Sequence, residues 1–75
     1  MDTKSRPVRV ECYSGYQYAQ EPRAVERPEG RAEVASVLRR WREPRGPAFR
    51  VRLADGNEAT LRYDEALDQW FMESD

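Results

Sequence analysis

The segment AFRVRLADGNEATLRY, residues 48–63, constrains the fold of this chain more than any other. Phe49, Val51 and Leu53 alternate with Arg50 and Arg52; after a break, Ala59, Leu61 and Tyr63 alternate with Glu58, Thr60 and Arg62. Successive side chains of a strand point to opposite faces, so each half carries one apolar and one charged face. Asp55-Gly56 stands between the halves and is a strong hairpin signal, because glycine tolerates the positive φ of a tight turn. A hairpin with one greasy face must bury that face against another layer. Its other face sets Arg50 and Arg52 near Glu58 and Arg62 across the strands.

Further strands can be read on both sides. In PVRVECY, Val8, Val10 and Cys12 share one face and Arg9 and Glu11 the other, while residues 1–6 are expected to be a flexible N-terminus. Ala24 to Arg27, a Pro28-Glu29-Gly30 turn and a strand from Arg31 form a second hairpin. Asp64 is placed to cap a short turn over Glu65, Ala66 and Leu67. QWFM then reads as a last strand with Trp70 and Met72 on one face and Phe71 on the other. The segment AEVASVLRRW, residues 32–41, is ambiguous. As a helix it places Val34, Val37 or Leu38, and Trp41 on one face. As a strand it places Val34, Ser36, Leu38 and Arg40 together, which is untidy unless a bulge intervenes. The turn before it and the hairpin after it favour a long bent strand, since tertiary pairing overrides local propensity. The expectation is one mostly β domain over residues 7–73: a small SH3-like or related, partly open barrel of five to six antiparallel strands, with at most one short helix or helical turn.

Composition narrows the chemistry. No apolar run approaches the roughly 20 residues of a membrane-spanning helix, and MDTKSRPVRV has no apolar stretch of the kind a secretory leader carries, so a cytoplasmic protein is expected. The chain has no histidine, which removes the commonest general base and metal ligand. Cys12 is the single cysteine; it has no partner for an internal disulfide and no histidine to activate it, and its strand position makes it a small core group. The glycines stand singly in turns and form no phosphate-binding loop. Asp64, Glu65 and Asp68 could hold a cation weakly, but a turn cap with solvated charges accounts for them. No catalytic residues, metal ligands or cofactors are therefore expected, and no small-molecule substrate is evident.

The net charge is −1, yet the charges are unevenly distributed. Residues 39–53 carry Arg39, Arg40, Arg42, Arg45, Arg50 and Arg52 against Glu43 alone, whereas residues 54–75 carry Arg62 against Asp55, Glu58, Asp64, Glu65, Asp68, Glu73 and Asp75. Basic and acidic strands lying side by side would cancel. An arginine face free for phosphate is the sharper alternative.

Binding is the class that remains. In CYSGYQYAQEP, residues 12–22, Tyr13, Tyr16 and Tyr18 offer large contact area with polar tips, suited to interfaces and base stacking, unless one folds back to lid the barrel. Trp41 sits among arginines in RRWREPR, where it can pack into the core or stack on a guanidinium, a base or a partner side chain. The expected binding surface joins Tyr13, Tyr16 and Tyr18 to Arg39, Arg40, Trp41, Arg42, Arg50 and Arg52, contacting protein or nucleic acid. The alternative is a structural or oligomerisation module that pairs an exposed strand edge such as residues 6–12 with a copy or a partner, giving a monomer or weak dimer.

The ordered series RPVRVECYSGY, then EPRAV followed by VLRRWRE, then FRVRLADGNEATLRYDEALDQWFM resembles a small bacterial family of unknown function. Its pattern runs V-E-C-Y-x-G-Y, R-W, D-G, D-E-A and W, and the likeness covers Arg6 to Met72. The matching positions are Glu11, Cys12, Tyr13, Gly15, Tyr16, Arg40, Trp41, Asp55, Gly56, Asp64, Glu65, Ala66 and Trp70. That family is similar to a module at the C-terminus of some Y-family translesion DNA polymerases. The resemblance implies a small accessory or interaction barrel and assigns no catalytic role. AVERPEG departs from the more aromatic run expected there, which implies a smaller core at the second strand.

Overall fold

A computed structural model describes residues 5–12 and 21–74. It contains six strands: β1 (Ser5–Cys12), β2 (Pro22–Arg27), β3 (Gly30–Glu43), β4 (Gly46–Leu53), β5 (Glu58–Asp64) and β6 (Gln69–Ser74). Each pairs antiparallel with the next, and β6 returns to β1, so the meander closes into a barrel. The described residues contain no helix. The architecture is consistent with the small SH3-like class, and it is closed rather than partly open. Closure removes the edge strands that an open sheet would expose.

Two corner strands achieve the closure. The first half of β1, Ser5–Val8, pairs with β6, and its second half, Arg9–Cys12, pairs with β2. β3 does the same at larger scale: Gly30–Glu33 pairs with β2, and Val34–Glu43 pairs with β4. The ambiguous segment 32–41 is thus strand throughout. β1 begins at Ser5 and Arg6 stands opposite Met72, so ordered pairing starts before Pro7.

β3 resolves its awkward sequence with two bulges. Val34 faces Leu53, Ser36 faces Arg52, Val37 faces Val51 and Arg39 faces Arg50, leaving Ala35 and Leu38 as extra residues. A bulge sets two residues against one and inverts the alternation beyond it. The first bulge turns Val37 inward where a regular strand would put Ser36, and the second restores the phase. Leu38 is consequently left outside, 43% exposed.

The interior holds Val8, Cys12, Val25, Ala32, Phe49, Val51, Leu53, Ala59, Leu61, Tyr63, Trp70 and Met72, with Val10, Val34 and Val37 packed at its margin. Trp70 is its aromatic centre, 5.2 Å from the Tyr63 ring and 6.0 Å from Phe49 between centroids. β2 gives the core Val25, opposite Val10 and Ala32; Pro22 is buried opposite Cys12, and Ala24 is buried on the outer face, opposite Glu11 and Glu33. The 54–57 turn of the β4–β5 hairpin is closed by Leu53 N–H donating to Asn57 O at 2.7 Å, with Gly56 at φ 94°. At the opposite end, Asp64 Oδ1 accepts from the amides of Ala66 and Leu67 at 3.0 and 3.1 Å, the cap expected from DEAL.

Candidate binding surface

The ladder register fixes which side chains share the outside of the β3–β4–β5–β6 wall. Directly paired residues lie on the same face. Phe49, Leu61 and Met72 form an inward row, so the neighbouring rows point out. One outward row runs Trp41, Ala48, Arg62, Phe71, Pro7 across five strands. The row beside it runs Arg39, Arg50, Thr60, Glu73, Ser5. Two half-buried aromatic rings, Trp41 and Phe71, thus stand outside the barrel on either side of Ala48 and Arg62.

Trp41 is held on three counts. Its Nε1–H donates to Glu43 Oε2 at 3.0 Å, the Arg39 guanidinium lies 5.2 Å from the ring centroid, and its cross-strand neighbour Ala48 is fully buried beside it. Core packing, one of the fates open to Trp41 from sequence, goes to Trp70 instead. Glu43 also accepts from Arg62 Nε at 3.0 Å, and Arg62 donates in addition to Glu73. The hydrogen bond to Glu73, with desolvation opposing it and Glu43 reinforcing it, raises the Arg62 pKa and keeps its charge fixed. A groove of about 540 Å3 opens beside this row, lined by Ser5, Glu43, Pro44, Arg45, Arg62, Tyr63, Asp64 and Phe71.

The arginine block is largely matched by acids. Arg40 pairs with Glu21, Arg42 with Glu65 at 2.8 Å, Arg45 with Asp64 at 3.0 Å, and Arg50 and Arg52 share Glu58 at 3.4 and 3.1 Å. Arg50 also donates to Thr60 Oγ1 at 3.1 Å. Of the two charge arrangements open from sequence, side-by-side cancellation is the one present, with the acidic last third supplying most of the carboxylates. Apart from Arg45–Asp64, whose carboxylate is buried, these pairs are exposed or half-exposed and contribute about 0–1 kcal/mol each, so they set charge placement more than stability. Arg39 has the indole of Trp41 as its neighbour, and no carboxylate pairs with it among the described residues.

The expected surface is therefore divided. Arg39, Trp41 and Arg50 lie together on the outer face, with Arg52 beside them opposite Ser36. Arg40 and Arg42 fall in the inward phase of β3, opposite Phe49 and Pro47, but at the barrel mouth, where they are exposed. Tyr13, Tyr16 and Tyr18 lie outside the described residues. Their segment joins Cys12 to Glu21, and Glu21 meets Arg40 at the same mouth. Glu43, Arg62 and Phe71 were not singled out from sequence. Phe71 had a signal, its phase opposite to Trp70 and Met72, but its alignment with Trp41 depends on three ladders.

Cys12 is 8% exposed, and burial raises its thiol pKa, which weakens it as a nucleophile. Among the described residues, no group of three metal-ligating side chains occurs and no helix is long and apolar enough to cross a membrane. No protein-family model, curated protein or solved structure matches the chain significantly.

Proposed function

We propose that this protein is a non-enzymatic binding module that docks a protein partner on the outer face of β3–β6, around Trp41 and Arg39. The observation that carries this reading is the position of Trp41: an indole on the outside of a barrel whose core is already complete around Trp70. Tryptophan and arginine are enriched among the residues that dominate interface energetics, the indole for its large rigid contact area and the guanidinium for its planar set of donors. Here both are pre-positioned, the ring by Glu43 and the guanidinium by the ring. Preorganisation lowers the ordering cost of association.

A protein partner fits this face better than a nucleic acid. Glu43, Glu58 and Glu73 interrupt the arginines, so a polyanion laid along the wall would be repelled at each of them, whereas a protein can place a few charges between them. Self-association through residues 6–12 has less support, since the two halves of β1 are used on opposite sides and leave no continuous free edge.

The test is capture from a cell lysate by the immobilised protein beside its Trp41→Ala variant. A partner retained by the wild type, lost by the variant and resistant to nuclease treatment supports the reading. Release by nuclease replaces the protein partner with nucleic acid. Equal capture by both forms removes Trp41 from the site and overturns the proposal.

A further inference from the structure

The pairing of Arg39 with Arg50 is the least expected contact in the barrel. Like charges directly across a ladder are destabilising, and these two occupy facing positions on the outer side of β3 and β4. Arg52 lies two residues further along β4, on the same face, opposite Ser36. Glu58 serves both Arg50 and Arg52, and the Arg39 guanidinium leans over Trp41. The bulge that admits Leu38 places it next to Arg39 on the outside, as one of two large apolar side chains left exposed among the described residues. Folding thus gives Arg50 and Arg52 one shared carboxylate, gives Arg39 a ring but no carboxylate among the described residues, and leaves Leu38 in solvent. A ligand carrying carboxylates and an apolar side chain would draw on all of them.

Resting on the protein-docking reading above, we propose that the patch formed by Leu38, Arg39, Trp41, Arg50 and Arg52 binds an acidic segment of a partner protein, with one carboxylate bridging Arg39 and Arg50 and an apolar side chain against Leu38 and the indole. The chemistry is charge complementarity with a matched spacing. Arg50 and Arg52 are alternate residues of one strand and stand about 6.6 Å apart along it, the same repeat as alternate carboxylates of an extended peptide. Guanidiniums donate to carboxylates in two-pronged geometry, and a guanidinium already stacked on an aromatic ring loses less freedom when it does so. The patch is short. Glu58 bounds it on the β5 side and Glu43 on the Trp41 side, so a partner with a long uniform run of negative charge would overrun onto acids. That limit favours a brief acidic motif over a nucleic acid strand.

The experiment uses a fluorescein-labelled peptide of alternating Glu and Leu as the probe, with a Gln-for-Glu peptide and a single-stranded oligothymidylate as comparisons, each titrated into isotope-labelled full-length protein. Saturable binding of the acidic peptide is expected, with amide shifts centred on residues 36–41 and 50–52. The Gln peptide should bind at least about tenfold more weakly, as should the acidic peptide to Arg39→Ala. Arg39→Lys keeps the charge but loses the planar stack, and should fall between; the amide spectra of both variants report whether the fold is intact. Tighter binding of the oligothymidylate, shifts on another face, or equal affinity for the Glu and Gln peptides overturns the proposal. Loss of lysate capture in Trp41→Ala alongside failure of the acidic peptide would leave the docking reading standing and remove only the acidic ligand.

Discussion

Val37 lies directly across from Val51 inside the barrel, and it reaches that place because Ala35 is an extra residue in β3. Without bulges, Ser36 and Leu38 would point inward and Val37 outward. Val37→Asp is therefore expected to cost at least about 2 kcal/mol by burying a charge at the core margin. Leu38→Asp should stay within about 0.5 kcal/mol of wild type, as surface substitutions do. Urea unfolding of the two variants checks this, and the reverse order would mean that the bulges are misplaced.

The two tryptophans separate core from surface. Trp70 is 7% exposed and touches Tyr63 and Phe49, so Trp70→Ala should lose about 3–5 kcal/mol. Trp41→Ala removes a half-buried ring from the outer wall and should lose less than Trp70→Ala, about 1–2 kcal/mol, since its contacts are one hydrogen bond, one cation–π stack and its place beside Ala48. Comparable losses in thermal melts would place Trp41 in the core after all.

Gly46 opens β4 with φ 154°, and a Cβ there would fall on the Tyr63 carbonyl oxygen, a backbone atom with little room to move. Gly46→Ala should destabilise the protein by more than about 1 kcal/mol, through strain and through the forced separation of β4 from β5. Gly30→Ala also meets a positive φ but has open space around it, so it should cost less. Denaturant midpoints for the pair rank the two effects.

Cys12 should react slowly with a thiol reagent such as DTNB in the native state and rapidly in denaturant. Its side chain is buried, and burial raises its pKa, so less thiolate is present at a given pH than on an exposed cysteine. Fast native labelling at pH 8 would show that the β1 end opens readily.

Glu29 reports on pH. Its pKa is lowered chiefly by the hydrogen bond from Arg6 at 2.6 Å. A carboxyl whose folded pKa is depressed adds stability that is present above its unfolded value and is lost as the pH falls through the folded one. Because the pair is exposed, the effect is small and screened by salt. Melts of wild type and Glu29→Gln should differ slightly at pH 7 and converge as the pH is lowered into the carboxylate range. A difference that persists below that range would mean that Glu29 acts through packing.

Local alternation was enough to locate the strands. Val8 and Cys12, Phe49 to Leu53, Ala59 to Tyr63, and Trp70 with Met72 were placed inward by period two alone, and Asp55-Gly56 and Asp64 marked their turns, because these features depend on neighbours a few residues away. β3 was less legible. Its composition favours helix and its flanking turns favour a long bent strand; pairing with β2 and then β4 shows where that strand turns its corner. The arginine–acid pairs were legible as charge blocks but not as partners: Arg62 meets Glu73 across the β5–β6 ladder and Glu43 over the intervening β4.

What the sequence by itself determined, then, is an all-β chain of short amphipathic strands with an apolar side for a core, since alternation and turn chemistry are encoded within each segment. Only the tertiary structure decided that the barrel closes, that two bulges send Val37 in and leave Leu38 out, and that Trp41 stands beside Arg39 on the outer wall. Those outcomes depend on register between strands far apart in the chain. A shift of one residue exchanges the faces of every side chain beyond it, and nothing local to the segment records that choice.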